Sequence, residues 1–494
     1  MSKLINRIEK RLIDWPIRNF KEEVKEEVKK KPEPKKEEPK KKPKESKDDK
    51  LRFIVLSDEP KNQELFHTAK RIVEESERLG YDVYIVFIDG AYITYEDEIR
   101  RIHNIDDPKG FVIDNKDTVA IVRGSITRKD GWLDLLSQIE KANICCVNSR
   151  QTVNVCADKY RTYLRLQDFG LNQPRTVLIP NADSIDIAIE KLDSNYPVIV
   201  KTLRGSKGIG VIFIESERSL EAIVQLVYKD DNLELLLQEY IKTEFDVRVL
   251  VLGGKIIASM RRDVIEGDFR SNFSRGGKVD NFKLTELEME QCILAAKAVN
   301  GIYVGVDFIP GKNREKDLPY ILEVNSSPGT EGIESATKEN LIGILLEHFD
   351  DSKHRFSVPI ECGYKEVVEI EPFGYLVAKF DTGNTGYNVI HAEDINVKDK
   401  KITWRLFDKK VTSDLIDTIK VNVGGLRDYV EDRYVIKLDV KFLGILYTDV
   451  IFTLDDRSDR SHILLCVEFM SKLNVMVNPR RKFIVTTKYS IEEK

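Results

Sequence analysis

Gly305-Val306-Asp307 and Ile321-Leu322-Glu323-Val324-Asn325-Ser326-Ser327-Pro328-Gly329 decide how the middle of the chain is read. Glu323 and Asn325 lie two apart in an apolar run, so on a strand both side chains point to one face. Asp307 follows an apolar pair and adds a third oxygen donor. One aspartate, one glutamate able to bridge and one asparagine suit magnesium, which takes carboxylates, keeps waters and shares substrate phosphates. Any one of the three alone would read as a solvated side chain at a strand end.

Toward the N-terminus, Gly205-Ser206-Lys207-Gly208-Ile209-Gly210 separates two runs, 197–202 and 210–214, that read as strands. Glycines there let backbone N–H groups approach a phosphate with no Cβ in the way, although a plain hairpin turn looks the same. The loop has neither the Walker spacing nor the strand-to-helix setting of a dinucleotide fingerprint. Lys201 ends the strand before it, Lys159 lies in Ala157-Asp158-Lys159, and Gln238-Glu239-Tyr240-Ile241 closes an apolar strand whose edge backbone groups are expected to hold an adenine. Two lysines and a glycine loop suit a triphosphate. Between these sets, Glu266-Gly267-Asp268-Phe269-Arg270-Ser271-Asn272-Phe273-Ser274-Arg275-Gly276-Gly277 is too rich in Gly and Ser for a helix. Its arginines are planar forks for carboxylate or phosphate, or else solvated surface.

The 494 residues leave room for about three domains. Residues 51–150 alternate apolar runs (53–56, 83–88, 118–123) with helical patterns (66–79, 132–142), a β-α-β texture. Residues 151–350 add strands at 235–240, 246–252 and 255–261 and helices near 156–169 and 286–300, an α+β region with much antiparallel sheet. From 351 to 494 helical patterns nearly vanish, and alternating segments (367–370, 375–380, 434–438, 449–454) predict a mostly β domain. Residues 21–50 hold thirteen lysines, ten acids and four prolines with only Val24 and Val28 apolar, which predicts a disordered linker. Ahead of it, residues 1–20 carry an apolar face among five basic and two acidic residues, interrupted at Pro16. Such a segment packs on its own protein or oligomer, or docks on a membrane or partner.

Composition removes several classes. A net charge of −5 gives no basic field for nucleic acid, so no specific nucleic-acid partner is expected. Six scattered cysteines make neither a zinc site nor a disulfide framework. No run of eighteen apolar residues and no signal-peptide block occurs, so a cytoplasmic protein without a transmembrane segment is expected.

Taken in order, Val200-Lys201-Thr202, Gly208-Ile209-Gly210-Val211, Gln238-Glu239-Tyr240-Ile241, Asp246-Val247-Arg248, the 266–277 loop, Gly305-Val306-Asp307 and Glu323-Val324-Asn325-Ser326-Ser327-Pro328-Gly329 resemble the RimK-type glutamate ligases of the ATP-grasp class over residues of about 51–350. The resemblance implies an α+β ATP-grasp fold at 151–350 behind an α/β pre-grasp domain at 51–150. It implies that Lys159, Lys201, Ser206, Lys207, Gly208, Ile209, Gly210, Glu239, Tyr240, Ile241, Asp246 and Arg248 contact ATP. It further implies that Asp307, Glu323 and Asn325 hold magnesium, with manganese an alternative ion, and that Arg270, Asn272 and Arg275 handle phosphate and substrate carboxylate. The chemistry implied is amide formation through an acyl phosphate. Glutamate is added to glutamate or to an acidic peptide or protein C-terminus, giving α-linked poly-glutamate.

In the last domain, Tyr375-Leu376-Val377-Ala378-Lys379-Phe380 runs into Asp381-Thr382-Gly383. A turn after a strand reads this way, and so does an aspartic-protease signature, in which two aspartates share a proton and activate water. With Ile390-His391-Ala392, Asp455-Asp456-Arg457-Ser458 and Val477-Asn478-Pro479-Arg480-Arg481-Lys482-Phe483, the segment resembles RimB-type retropepsin-like proteases over about 357–490. This implies a retropepsin-like barrel with Asp381, Thr382 and Gly383 catalytic. Asn384 departs from the small residue usual there, and Ile463-Leu464-Leu465-Cys466 from an apolar-apolar-Gly turn. With one Asp-Thr-Gly per chain, a dyad implies an even-numbered homo-oligomer: a dimer, tetramer or higher. The expectation is a bifunctional enzyme that builds and trims an acidic peptide; the alternative is an active ligase whose β domain only binds substrate or assembles the oligomer.

Overall fold

The computed structural model describes residues 51–487, apart from 59–64, 89, 97–98, 114–116, 125–130, 194–195, 206–209, 228–233, 265–277, 356 and 423–429. The amphipathic segment and linker read at 1–50 lie outside the described residues. The chain divides into two compact units, Met1–Arg355 and Phe356–Lys494.

The first unit begins with a parallel sheet in the order β2 (Asp82–Phe87), β1 (Arg52–Ser57), β6 (Thr118–Arg123), β7 (Cys145–Val147). A strand covered on both faces reads as a continuous apolar run, and β1 is one. Its alternate residues Phe53 and Val55 pack with Ile72 of helix α1 (His67–Leu79), whereas Ile54 and Leu56 pack with Trp132 and Leu136 of α2 (Gly131–Lys141). Helix α1 stops where Gly80, at φ 82°, turns left-handed and bonds back to the Ser76 and Glu77 carbonyls. A small antiparallel sheet, β3 (Tyr92–Glu96), β4 (Ile99–His103) and β5 (Phe111–Val112), follows β2; the sequence reading had no element there.

Two antiparallel sheets follow. One runs β10 (Val211–Ile214), β9 (Val198–Thr202), β11 (Leu235–Glu239), β8 (Thr176–Ile179). Its core gathers apolar side chains of these strands with those of α5 (Ile185–Leu192) and α6 (Glu217–Val227). The other runs β14 (Val279–Asn281), β13 (Lys255–Asp263), β12 (Phe245–Leu252), β15 (Tyr303–Ile309), β16 (Tyr320–Asn325). Cys292, Ala295 and Ala296 of α7 (Glu286–Ala298) and Leu166 of α4 (Lys159–Asp168) share its core. A capping box, Thr285 to Glu288, starts α7. One further apolar cluster joins Phe53, Val55 and Ile72 to Leu250, Tyr303, Ile333 of α8 (Glu331–Thr337) and Leu341 of α9 (Leu341–Glu347), so the first sheet and this last one share a core.

Asn148, fully buried between β7 and α3 (Arg150–Cys156), fixes that junction. Its Nδ2 donates to the Tyr303 and Ser326 carbonyls at 2.6 and 2.7 Å. Its Oδ1 accepts from the Ile302 and Tyr303 N–H groups at 2.7 and 3.1 Å. All four contacts fall beside the strands carrying Asp307 and Glu323.

The second unit is almost entirely strand, as the alternation predicts, with α10 (Val467–Lys472) its one α-helix among the described residues. Its main sheet runs β18 (Lys365–Ile370), β19 (Gly374–Phe380), β27 (Ile463–Leu465), β20 (Asn388–His391), β26 (Ile445–Asp455), β25 (Val430–Phe442), β24 (Asp417–Asn422), and β18 also pairs β25, closing the sheet on itself. Sequence reading drew β25 and β26 too short. Their pairing runs down to a two-residue turn in which Leu443 and Gly444 both take positive φ, 50° and 83°, a hairpin geometry that Leu does not advertise. A three-stranded sheet of β21 (Glu393–Lys398), β22 (Lys401–Leu406) and β23 (Lys409–Asp414) puts Trp404 into the core, while β17 (Ile360–Gly363) pairs β28 (Val475–Asn478). Buried Glu366 ties the C-terminal stretch by accepting from the Gly363, Ile484 and Thr486 N–H groups at 2.6, 2.8 and 3.1 Å.

Asn148→Ala leaves buried backbone donors and acceptors without partners, so it should cost about 3 kcal/mol. A loss of less than about 1 kcal/mol, taken from the shift in urea midpoint at unchanged slope, would show those bonds to be replaceable.

Candidate functional site

Strand register builds the centre of the first unit. Asp246 stands opposite Arg262 on β13, Arg248 opposite Asp307 on β15, and Asp307 opposite Glu323 on β16. Charged side chains from four strands thus meet over one sheet. The Arg248 fork holds Asp307 bidentately, Nε to Oδ1 at 2.7 Å and Nη2 to Oδ2 at 2.6 Å. Arg262 holds Asp246 likewise, at 2.6 and 2.7 Å, and its Nη2 lies 3.0 Å from Asp307 Oδ2. Burial pushes the Asp307 carboxyl up, but Arg248 and Arg262 outweigh it and hold it well below the usual carboxylate range.

Glu323 and Asn325 share a face as expected, with Asn325 Nδ2 donating to Glu323 Oε1 at 2.9 Å. That bond uses the Asn325 amide nitrogen and leaves its oxygen as a free donor atom to a cation. Among the described residues no three His, Cys, Asp or Glu side chains gather as a metal site. Two carboxylates and one amide oxygen fit magnesium, which takes hard oxygen donors. The Glu323 side chain is 42% exposed, whereas that of Asp307, at 4%, is covered by its arginines.

A second cluster forms around the glycine loop. Lys159 opens α4, whose N-cap Asp158 accepts from the Tyr160 and Arg161 N–H groups. Its Nζ donates to the Thr202 and Gly205 carbonyls at 3.1 and 3.2 Å. Gly210 has φ 77°, and a Cβ there would lie 2.3 Å from Thr202 Oγ1, so the position demands glycine. Lys201 sits on β9. Burial pulls its ammonium down to about 8, Glu323 opposing and Lys159 assisting. Burial also lowers Lys159, again against the pull of Glu323. Glu323 therefore links the two clusters electrostatically. Ser206, Lys207, Gly208 and Ile209 lie outside the described residues, as do Arg270, Asn272 and Arg275.

One expectation is corrected. The strand ending at Glu239 is no edge, because β9 pairs one side and β8, which the sequence reading did not include, pairs the other. Its backbone groups are spent in the ladder; only Tyr240 and Ile241, beyond its end, lie outside it. Glu239 is itself engaged, accepting from Arg175 N and Nε at 2.8 and 3.0 Å. The Tyr240 ring meets Phe213 edge-on at 5.0 Å. Asp246, expected at ATP, spends both oxygens on Arg262. Sequence reasoning missed Arg262 and Asn148. The available signal for Arg262 was an arginine in the inward alternation of an apolar strand.

In the second unit, Asp381 follows β19. Its N–H donates to the Leu465 carbonyl at 3.0 Å, its Oδ1 accepts from Gly383 N–H at 3.3 Å, and Lys379 Nζ lies 3.4 Å from Oδ2. Strands β19 and β20, joined by the 381–387 loop, do not pair with each other; β27 lies between them, parallel to β19 and antiparallel to β20.

Residues 156–349 match the family model of the RimK-like ATP-grasp domain. The chain is 32% identical over 292 residues to the probable alpha-L-glutamate ligase of Aliivibrio salmonicida, a match covering 59% of this chain and 93% of that one. It is 31% identical over 288 residues to the probable alpha-L-glutamate ligase of Methanococcoides burtonii, covering 58% and 92%. Among solved structures it is similar to the ATP-grasp ligase PsnB complexed with minimal precursor, with a TM-score of 0.46 and 18% identity over 61% of this chain and 98% of that one. With the ligases of A. salmonicida and M. burtonii matched over 93% and 92% of their length, this chain belongs to the alpha-L-glutamate ligases built on a RimK-like ATP-grasp domain.

Proposed function

We propose that the first unit joins glutamate, through an acyl phosphate, to glutamate or to an acidic peptide C-terminus, forming α-linked poly-glutamate with ATP as co-substrate. The observation that carries this is the row Arg248, Asp307, Glu323 facing Lys159 and Lys201. A substrate carboxylate oxygen bonds to the γ-phosphorus as the bond to the ADP oxygen breaks. The incoming amine then attacks the acyl carbon, phosphate leaves, and the amine's proton goes to solvent. Lys159 and Lys201 are set to neutralise phosphate oxygens, and Tyr240 and Ile241 to meet the base. Arg270, Asn272 and Arg275 take the phosphate and substrate carboxylate by resemblance alone. Magnesium held by Glu323, Asn325 and Asp307 would offset charge developing on the transferred phosphoryl group. No protein nucleophile is needed.

A specific arrangement favours a second activity in the other unit, an aspartic peptidase that trims the product. Asp381 is bonded to Leu465 of the inserted strand β27, and Asn384 and Tyr387, further along the same loop, line a cavity of about 250 Å³ with Lys420 and Arg433. Lys420 on its wall suits an acidic substrate, whereas the Arg433 guanidinium is paired with Glu431 and Asp455. A catalytic dyad then requires Asp381 from two chains, hence an even-numbered homo-oligomer.

Glu323→Gln should lower glutamate-dependent ADP release by about 100-fold or more with an unchanged melting temperature; retained turnover would remove Glu323 from the site. Nucleotide affinity should fall as pH rises through about 8, where Lys201 loses its proton and its charge. In Lys201→Arg, cationic throughout, the slope should flatten; an equally steep fall in that variant would assign it to another group. For the peptidase, Asp381→Asn should lengthen the products seen by mass spectrometry at unchanged ADP release, and an identical length distribution would leave the β unit a binding or assembly module.

A further inference from the structure

Asp307 is nearly saturated before any ligand arrives. A carboxylate offers about four lone-pair sites, and Arg248 fills two while Arg262 approaches a third. The two guanidinium groups are not equivalent. Arg262 is buried, with a 4% exposed side chain, and is anchored to Asp246 through Nε and through the same Nη2 that approaches Asp307. Arg248 is more open, at 18%, and after Asp307 the next carboxylate oxygen near it is Glu323 Oε1 at 4.0 Å. If one arginine is to leave Asp307, the geometry selects Arg248, and Arg262 keeps the carboxylate in place.

The local charge says when it leaves. Among the described residues, the carboxylates Asp158, Asp246, Asp307 and Glu323 are set against the cations Arg248, Arg262, Lys159 and Lys201. The site carries no negative excess to draw in a bare divalent cation, and the position such a cation needs on Asp307 is held by a guanidinium. A nucleoside triphosphate changes both conditions. It brings several negative charges, and its phosphate oxygens give Arg248 a second bidentate acceptor.

We propose that Arg248 is a resident counter-ion, seated on Asp307 until nucleotide arrives and then handed to the phosphates, so that the metal gains Asp307 only together with nucleotide. This positioning role rests on the ligase reading of the same site. It makes metal and nucleotide binding strongly cooperative, with Arg248 as the coupling element.

The test is manganese uptake by the full chain without nucleotide, followed by the EPR signal of free Mn²⁺. Arg248→Gln should bind Mn²⁺ about tenfold or more tighter than wild type, because a repelling charge is gone and Asp307 is open. Arg248→Lys, which keeps the charge, should bind as wild type does, and Glu323→Gln placed on Arg248→Gln should remove the gain. Equal Mn²⁺ affinity in wild type and Arg248→Gln would overturn the proposal. Should Arg248→Gln fail to fold, the wild-type Arg248 Nε–H resonance, assigned by its loss in Arg248→Lys, decides instead. It should stay in place with Mg²⁺ alone and shift with a non-hydrolysable triphosphate; a shift with Mg²⁺ alone overturns the proposal. Binding of a fluorescent ADP is scored separately, since its absence would sink the ligase reading while the nucleotide-free measurements still judge Arg248.

Discussion

A carboxylate buried on a β-sheet must be paired or neutralised, and Asp307 meets that demand with one arginine from the adjacent strand and one from the strand beyond. Each pairing fixes a register. Arg248 sets β12 against β15, Arg262 sets β13 against β12 and reaches Asp307 across it, and a shift of one residue would turn every one of these side chains to the opposite face. Removing one partner leaves an uncompensated charge, which costs more than the intact pair contributes. The charged row therefore specifies the alignment of strands that places Glu323 and Asn325 beside it.

That row would still be loose without support from the parallel sheet. Asn148 supplies it by bonding the end of β7 to backbone of β15 and to Ser326 just past β16. The shared apolar cluster of Phe53, Ile72, Leu250 and Tyr303 adds non-directional burial around the same junction. Residues 51–150 thus act as a brace for the strands bearing the charged row, although none of their side chains was expected to touch a ligand.

Much of this was legible in the sequence, and the parts that were not share a cause. Runs such as 118–123 and the Glu323/Asn325 spacing carry their own periodicity, so strand and facing could be read locally. Whether the strand ending at Glu239 is central or at an edge depends on β8, a short run whose pairing is a tertiary fact. Asn148 and Arg262 are single polar residues whose roles exist only across 155 and 16 positions of chain. Nor does pattern alone reveal that Arg248, expected at the nucleotide, rests on the aspartate expected to bind the metal.

In the β unit the two departures noted around Asp381 are held differently, one through a backbone group and the other through its side chain. The segment beside Asp381 contributes the Leu465 carbonyl, a backbone group that any residue supplies. Asn384 turns its amide inward on its own loop, donating to the Tyr387 carbonyl at 2.8 Å and accepting from Gly386 N–H at 3.0 Å. Its own carbonyl accepts from Val467 N–H at 2.9 Å, and Cys466 N–H is held by Asn388 Oδ1 at 2.8 Å. The loop is therefore fixed from both ends, while the Asp381 side chain remains 30% exposed.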